Sequence, residues 1–190
     1  MLGDHTLAYK WLMYDPIVHV PLILCDARTR QNPRQVEDLV SLLDLGPTIL
    51  EAVGIPVPTY MEGRSLLPYL QGDEVDFKPR EFVFSEDNYL IMMRSKTHKL
   101  IYYIGQEAGE LYDLREDPDE LWNRWDEPTY APVQQRLLLR MLEWLAASNY
   151  YNAGYKRDRS RHYAMRWPSR EDPYLHGSRS PGRPRQVDVL

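Results

Sequence analysis

The sequence has a single cysteine, Cys25, in 190 residues, so neither an intramolecular disulfide framework nor a multi-cysteine zinc or iron–sulfur site can form. Long apolar runs are missing too. The longest, residues 20–24 and 137–139 with their neighbours, fall far short of the ~20 residues that a membrane helix needs. The first five residues show no basic stretch followed by an apolar one, so they do not read as a secretory signal, and no internal repeat is visible. What is present is the balance of an ordinary soluble globular protein, 43% hydrophobic and 27% charged, with 23 basic against 28 acidic side chains and a net charge of -5. At this length one domain plus an appendage is expected.

The charge is unevenly spread. Residues 151–190 carry nine Lys/Arg and four Asp/Glu, a balance of +5, which leaves -10 for residues 1–150. This last stretch is rich in Arg, Tyr, Ser and Pro and lacks apolar periodicity, so it reads as a tail that cannot build a core. Its interleaved arginines and tyrosines have the composition of a nucleic-acid-binding stripe. The acidic body argues instead that the tail folds back on it, or onto a second copy, by complementary charge.

Within the body, residues 17–24 form a nearly continuous apolar run, the pattern of a strand buried on both faces. Gly46-Pro47-Thr48 opens a helix over residues 49–53, which Gly54 ends. Four short β-type runs, residues 81–85, 89–94, 99–104 and 110–114, are spaced as an antiparallel meander. Asp117-Pro118-Asp119-Glu120 has the cap, proline and glutamate of a helix start, and Val133, Leu137, Met141, Leu142 and Leu145 follow helical spacing. One amphipathic helix would cover one face of the sheet. His98, His162 and His176 have no partner at metal-ligand spacing and read as surface or structural residues.

Five segments in order resemble the C-terminal part of the sulfatase family, within the alkaline phosphatase superfamily. They are Gly3-Asp4-His5 with Lys10, Tyr14-Asp15 and His19-Val20-Pro21-Leu22-Ile23; Asp44-Leu45 with Pro47-Thr48; Gly63-Arg64-Ser65-Leu66-Leu67-Pro68; Phe84-Ser85-Glu86; and Glu110-Leu111-Tyr112-Asp113-Leu114 with Asp117-Pro118, Glu120 and Asn123. The resemblance covers about residues 3–145 and implies an α/β class: the end of an alkaline-phosphatase-like sheet, then a four-stranded antiparallel sheet with a covering helix. The implied division is 1–75 for the end of the α/β domain, 76–150 for the sheet subdomain and 151–190 for the tail. Most of these motifs have backbone duties, because prolines and Asp117 start helices while Gly54, Gly63 and Gly72 allow turns.

What the resemblance implies chemically is sulfuric-ester hydrolysis by a formylglycine made from C/S-x-P-x-R, beside a divalent cation, calcium in this reading. The substrate would be a sulfated small molecule or sugar. Fixed cations and donors are needed to meet the charge on the sulfuryl oxygens, and Lys10 suits that role as a point charge on a flexible stem. Lys10 and His5 are therefore the candidate catalytic residues. Asp4-His5 admits two readings, a metal pair or the later G-E-H that precedes the sulfate-contacting lysine. The short spacing to Lys10 favours the second, in which no metal ligand remains in this chain. Without the resemblance, His5 reads as a solvated terminal residue and Lys10 as a surface lysine. Cys25 lacks the proline and spacing of C-x-P-x-R and follows the expected buried strand, so it reads as a small hydrophobe. No segment supplies the nucleophile, and the 190 residues are expected to be inactive alone. Two rivals stand: a phosphodiester or phosphonate ester hydrolase of the same superfamily, and a non-catalytic interaction module that uses the sheet edge and tail. The tail is expected to support a homo-oligomer rather than to bind nucleic acid or membrane.

Overall fold

The computed structural model describes residues 1–8, 10–26, 33–72 and 77–152, so the expected tail lies outside it except where residues 151 and 152 end the last helix. Two compact units are present. Among the described residues, the first joins those of 1–40 to those of 69–139, and the second joins 41–68 to 140–152.

The first unit is built on an antiparallel sheet of strands β1 (Val83–Asp87), β2 (Leu90–Arg94), β3 (His98–Tyr103) and β4 (Gly109–Asp113), in the order in which they occur along the chain. The meander read from the sequence is thus present, with each strand within a few residues of its expected place. Its first hairpin closes through Asn88-Tyr89, and Asn88 supplies the positive φ of 22° that so tight a loop demands. The register pairs Arg94 with Lys99 and Met92 with Ile101, and then Lys99 with Tyr112. Strand alternation therefore places Leu90, Met92, Arg94, Lys99, Ile101, Tyr103, Glu110 and Tyr112 on one face. Met13 joins Leu90, Met92, Ile101 and Tyr112 in a core there, with Tyr14, Val18, Tyr103 and Leu114 against it. Ile91, Met93, Leu100 and Leu111, also buried, occupy the opposite face with His98 and Asp113. Helix α4 (Ala131–Asn152) buries Leu137 and Met141, and its Arg136 lies close enough to His98 to act on its charge. The outer edge of β4 is closed by Asn123, whose carbonyl accepts the Leu111 N–H at 3.0 Å while its amide donates to the Gly109 carbonyl at 3.0 Å.

Three local expectations are corrected. Residues 17–24 are not a buried strand: helix α1 (Asp15–Val18) takes the first two, with Pro16 in its first turn, and the rest has no regular structure. Ile23 is 90% exposed, and Cys25, expected to be buried behind that strand, is exposed. Asp117 does not start a helix. Its carboxylate accepts the Leu121 and Trp122 N–H groups at 3.0 and 2.8 Å across an irregular turn, because Glu120 adopts a left-handed φ of 58° that turns its side chain inward. Leu142, expected on the apolar stripe of α4, is exposed, so that stripe is narrower than its periodicity suggests.

In the second unit a short 3₁₀ turn, Leu42–Asp44, leads into helix α2 (Leu45–Ala52), and helix α3 (Leu67–Gln71) begins at the end of the 41–68 stretch. Gly54, at φ 75°, ends α2 as expected: its N–H bonds to the Glu51 carbonyl and that of Ile55 to Leu50, two carbonyls that would otherwise lack partners. Asp44 is fully buried and accepts the N–H groups of Ser41 at 2.8 Å and Arg64 at 2.7 Å, while the Thr48 hydroxyl accepts the Leu66 N–H at 2.8 Å. The Asp44–Thr48 and Gly63–Leu66 motifs thus hold each other through the backbone, which agrees with a structural role for both. Gly63 meets the Leu43 carbonyl so closely that a Cβ would collide with backbone. Gly63→Ala is accordingly expected to destabilise this unit by about 1–3 kcal/mol, as forced overpacking does, visible as a lower denaturant midpoint.

Candidate functional site

The first unit determines where the candidate residues sit, and the joint is Tyr14-Asp15. Lys99 and Arg94 are directly opposite on β3 and β2, and two like charges at that spacing require an anion between them. Asp15 supplies it. Its carboxylate takes a two-pronged pairing from Arg94, at 3.2 and 3.0 Å, and a hydrogen bond from Lys99 Nζ at 2.5 Å. Lys99 is completely buried, donates also to the Met13 carbonyl at 3.0 Å and pairs with Glu120, whose other oxygen accepts the Asp15 N–H at 2.8 Å. Two cations and two anions thus pin residues 13–15 to the sheet.

The two carboxyls are pushed in opposite directions. Burial raises the Asp15 carboxyl, but the bonds and charges of Lys99 and Arg94 outweigh it and hold it below the ordinary 3.8; at Glu120 burial dominates and the pKa is raised. Asp15 therefore contributes stability that is present above 3.8 and lost as pH falls through its depressed folded value. Glu120 acts with the opposite sign, its contribution fading as pH rises through its folded value. Stability measured against pH should fall below 3.8 in the native chain, and Asp15→Asn should remove that part of the slope. An unchanged acid slope in the variant would contradict the pairing.

Beside this cluster lies a second one. The Glu110 carboxylate accepts hydrogen bonds from Tyr103 and, at 2.7 Å, from Tyr112, and its charge also acts on the Tyr14 hydroxyl. Burial first, and then the neighbouring carboxylate, push all three phenols up, so all stay protonated donors. Tyr14 meets Tyr112 edge to face at 6.2 Å, and His5 lies flat on Tyr14 with centroids 3.9 Å apart and planes 8° from parallel. His5 is half-buried, not a solvated terminal residue. Lys10 is exposed and makes no ion pair with any described residue.

The implied divalent cation does not fit the residues present. Among the described residues no group of three or more His, Cys, Asp or Glu is placed to hold a metal ion. Asp4 is exposed and accepts the Leu2 N–H at 3.2 Å, His5 lies flat on Tyr14, and neither belongs to such a group. His98 is structural: its Nδ1 is 2.9 Å from the Thr97 hydroxyl and its Nε2 is 3.6 Å from Asp113, with burial lowering its pKa.

Sequence reasoning named Tyr14, Asp15, Glu110 and Glu120 only as motif letters, and missed Arg94 and Lys99 altogether. The available signal was a lysine next to the apolar pair Leu100-Ile101 in a strand, which must find anions inside the fold if it is buried.

Comparison with known proteins fits this arrangement. The family model described as N-sulphoglucosamine sulphohydrolase, C-terminal, matches residues 3–147. The delta 4,5-hexuronate-2-O-sulfatase of Bacteroides thetaiotaomicron is 30% identical over 186 residues, covering 90% of this chain and 38% of that protein. Arylsulfatase K of Homo sapiens is 33% identical over 148 residues, 70% of this chain and 27% of that protein. Among solved structures, the phosphonate monoester hydrolase of Agrobacterium radiobacter superposes with a TM-score of 0.53 at 28% identity, over 60% of this chain and 26% of that one. The chain thus spans between about a quarter and two-fifths of the length of these relatives.

Proposed function

The chain belongs to the sulfatase family, in the portion that its C-terminal family model describes, and from that premise we propose that it serves a sulfuric-ester hydrolase by carrying one wall of the sulfate pocket. The observation that carries this reading is the pinning of residues 13–15 to the sheet through Asp15, while Lys10 is exposed with its charge unspent inside the fold. In this proposal the Lys10 ammonium reaches the tetrahedral oxyanion from one side, and His5 lines the pocket beside it. The charge that grows on the sulfuryl oxygens and the departing alkoxide is met by fixed donors that need no reorganisation. In this reading the rest of the complete enzyme supplies the nucleophile and the ligands of a divalent cation. The substrate class in this reading is a sulfate ester of a small molecule or sugar, in keeping with the names of the relatives.

Purified residues 1–190 are expected to give no turnover of an aryl sulfate. A clear signal abolished by Lys10→Ala would overturn that expectation. The coding sequence immediately upstream in the same frame is the cheapest further test, since C/S-x-P-x-R with an Asp pair is expected there. A second reading, hydrolysis of a phosphonate or phosphodiester, is favoured by the likeness to the phosphonate monoester hydrolase, because phosphoryl and sulfuryl groups offer a lysine the same tetrahedral array of oxygens. Comparing turnover of an aryl sulfate and an aryl phosphonate by the complete enzyme decides between them.

A further inference from the structure

His5 and Thr6 both have left-handed backbones, at φ 51° and 60°, a conformation that costs non-glycine residues roughly 1 kcal/mol or more each unless the surroundings hold it. Among the described residues, the one ring contact at that turn is Tyr14. Its ring is fixed on two sides: the edge of Tyr112, whose hydroxyl donates to Glu110, and the neighbouring Asp15, which Arg94 and Lys99 hold. Glu110 is in turn held by Tyr103 and Tyr112 on the same sheet face. An imidazole stacked at 3.9 Å and 8° has its plane set by that ring, so both ring nitrogens point along the stack's edge rather than into it.

We propose that Tyr14, held edge to face by Tyr112, is the positioning residue for His5. The Glu110–Tyr112–Tyr14–His5 chain carries the rigidity of the sheet out to the irregular N-terminal segment and sets the direction in which His5 presents its ring nitrogens. The functional part of this rests on the reading in which His5 lines the sulfate pocket; the stack itself does not.

The test is NMR of the histidine ring protons in the full 190-residue chain, with His5 assigned by its loss in His5→Gln. Stacking on Tyr14 is expected to move the His5 ring protons upfield of those of exposed His19. In Tyr14→Leu that difference should vanish, whereas Tyr14→Phe, which keeps the ring, should retain more than half of it. Unchanged Ile101 and Leu111 methyl signals report that the sheet is intact. Should Tyr14→Leu fail to fold, Glu110→Gln, which keeps an acceptor for one tyrosine, is expected to reduce the difference without abolishing it. A wild-type His5 that coincides with His19, or one that neither Tyr14→Leu nor Glu110→Gln moves, overturns the assignment. Titration with p-nitrophenyl sulfate separates the two layers. A response at His5 that weakens in Tyr14→Leu supports both, while a Tyr14-dependent stack with no response supports the positioning and overturns the sulfate role of His5.

Discussion

Replacing Lys99 with methionine is expected to lower the stability of the sheet unit by about 3–5 kcal/mol, because it leaves buried carboxylates without their cation. Lys99 donates to the Met13 carbonyl and to Asp15 and forms an ion pair with Glu120, and none of its surface reaches water. Asp15 would keep Arg94. Glu120, almost fully buried, would keep only the Asp15 N–H. The exposed pair of Lys96 with Asp38 at 2.8 Å is the control: Lys96→Met removes the same kind of charge and is expected to cost no more than about 1 kcal/mol. Urea unfolding followed through the sheet measures both. The double variant Lys99→Met with Glu120→Gln should recover part of the loss, since it removes one of the stranded charges. A loss for Lys99→Met no greater than that for Lys96→Met would show that the network does not hold residues 13–15 in place. Faster proteolysis within residues 1–14 in Lys99→Met is the accompanying expectation, since the segment's charged anchor is gone.

Lys10→Ala should behave in the opposite way. In the complete enzyme it is expected to lower kcat/KM for a sulfate ester by about 10²–10³-fold, the scale on which loss of one fixed charge-stabilising group is felt. Its effect on stability should stay within about 0.5 kcal/mol, as for a surface residue with no partner to strand. The prediction follows from the contrast between the two lysines. Lys99 is enclosed by its anions, whereas Lys10 is exposed and pairs with no described residue, so its charge is available to an anion from outside. A fall in kcat with little change in KM would mean that Lys10 acts mainly in the transition state. Unchanged kcat/KM, or a loss of stability matching the loss of activity, would remove Lys10 from the site.

Much of the fold is legible in the sequence because its signals are local. The four β-type runs alternate or cluster apolar residues between turn residues, and strands form at all four. Gly54 ends its helix because it tolerates a positive φ, a property of that residue alone. The failures are equally physical. Residues 17–24 are apolar enough for a strand, but apolarity does not supply backbone partners, and Pro16 and Pro21 each remove a donor. Asp117-Pro118 carries the letters of a helix start, but a left-handed Glu120 is incompatible with a continuing right-handed helix. That φ goes with a bond to a lysine twenty-one positions earlier, which no window of neighbouring residues contains.

The sequence by itself determined the family and the meander, because motif order, alternation and turn chemistry are written in neighbouring letters. Only the tertiary structure decided what each charged residue does. It took the register of β2 on β3 to place Arg94 opposite Lys99, the Met13–Asp15 segment on that face to give them an anion, and the Tyr14 ring to give His5 a surface to stack on. Charges act through distance and burial, and both quantities come into existence only when remote parts of the chain are brought together.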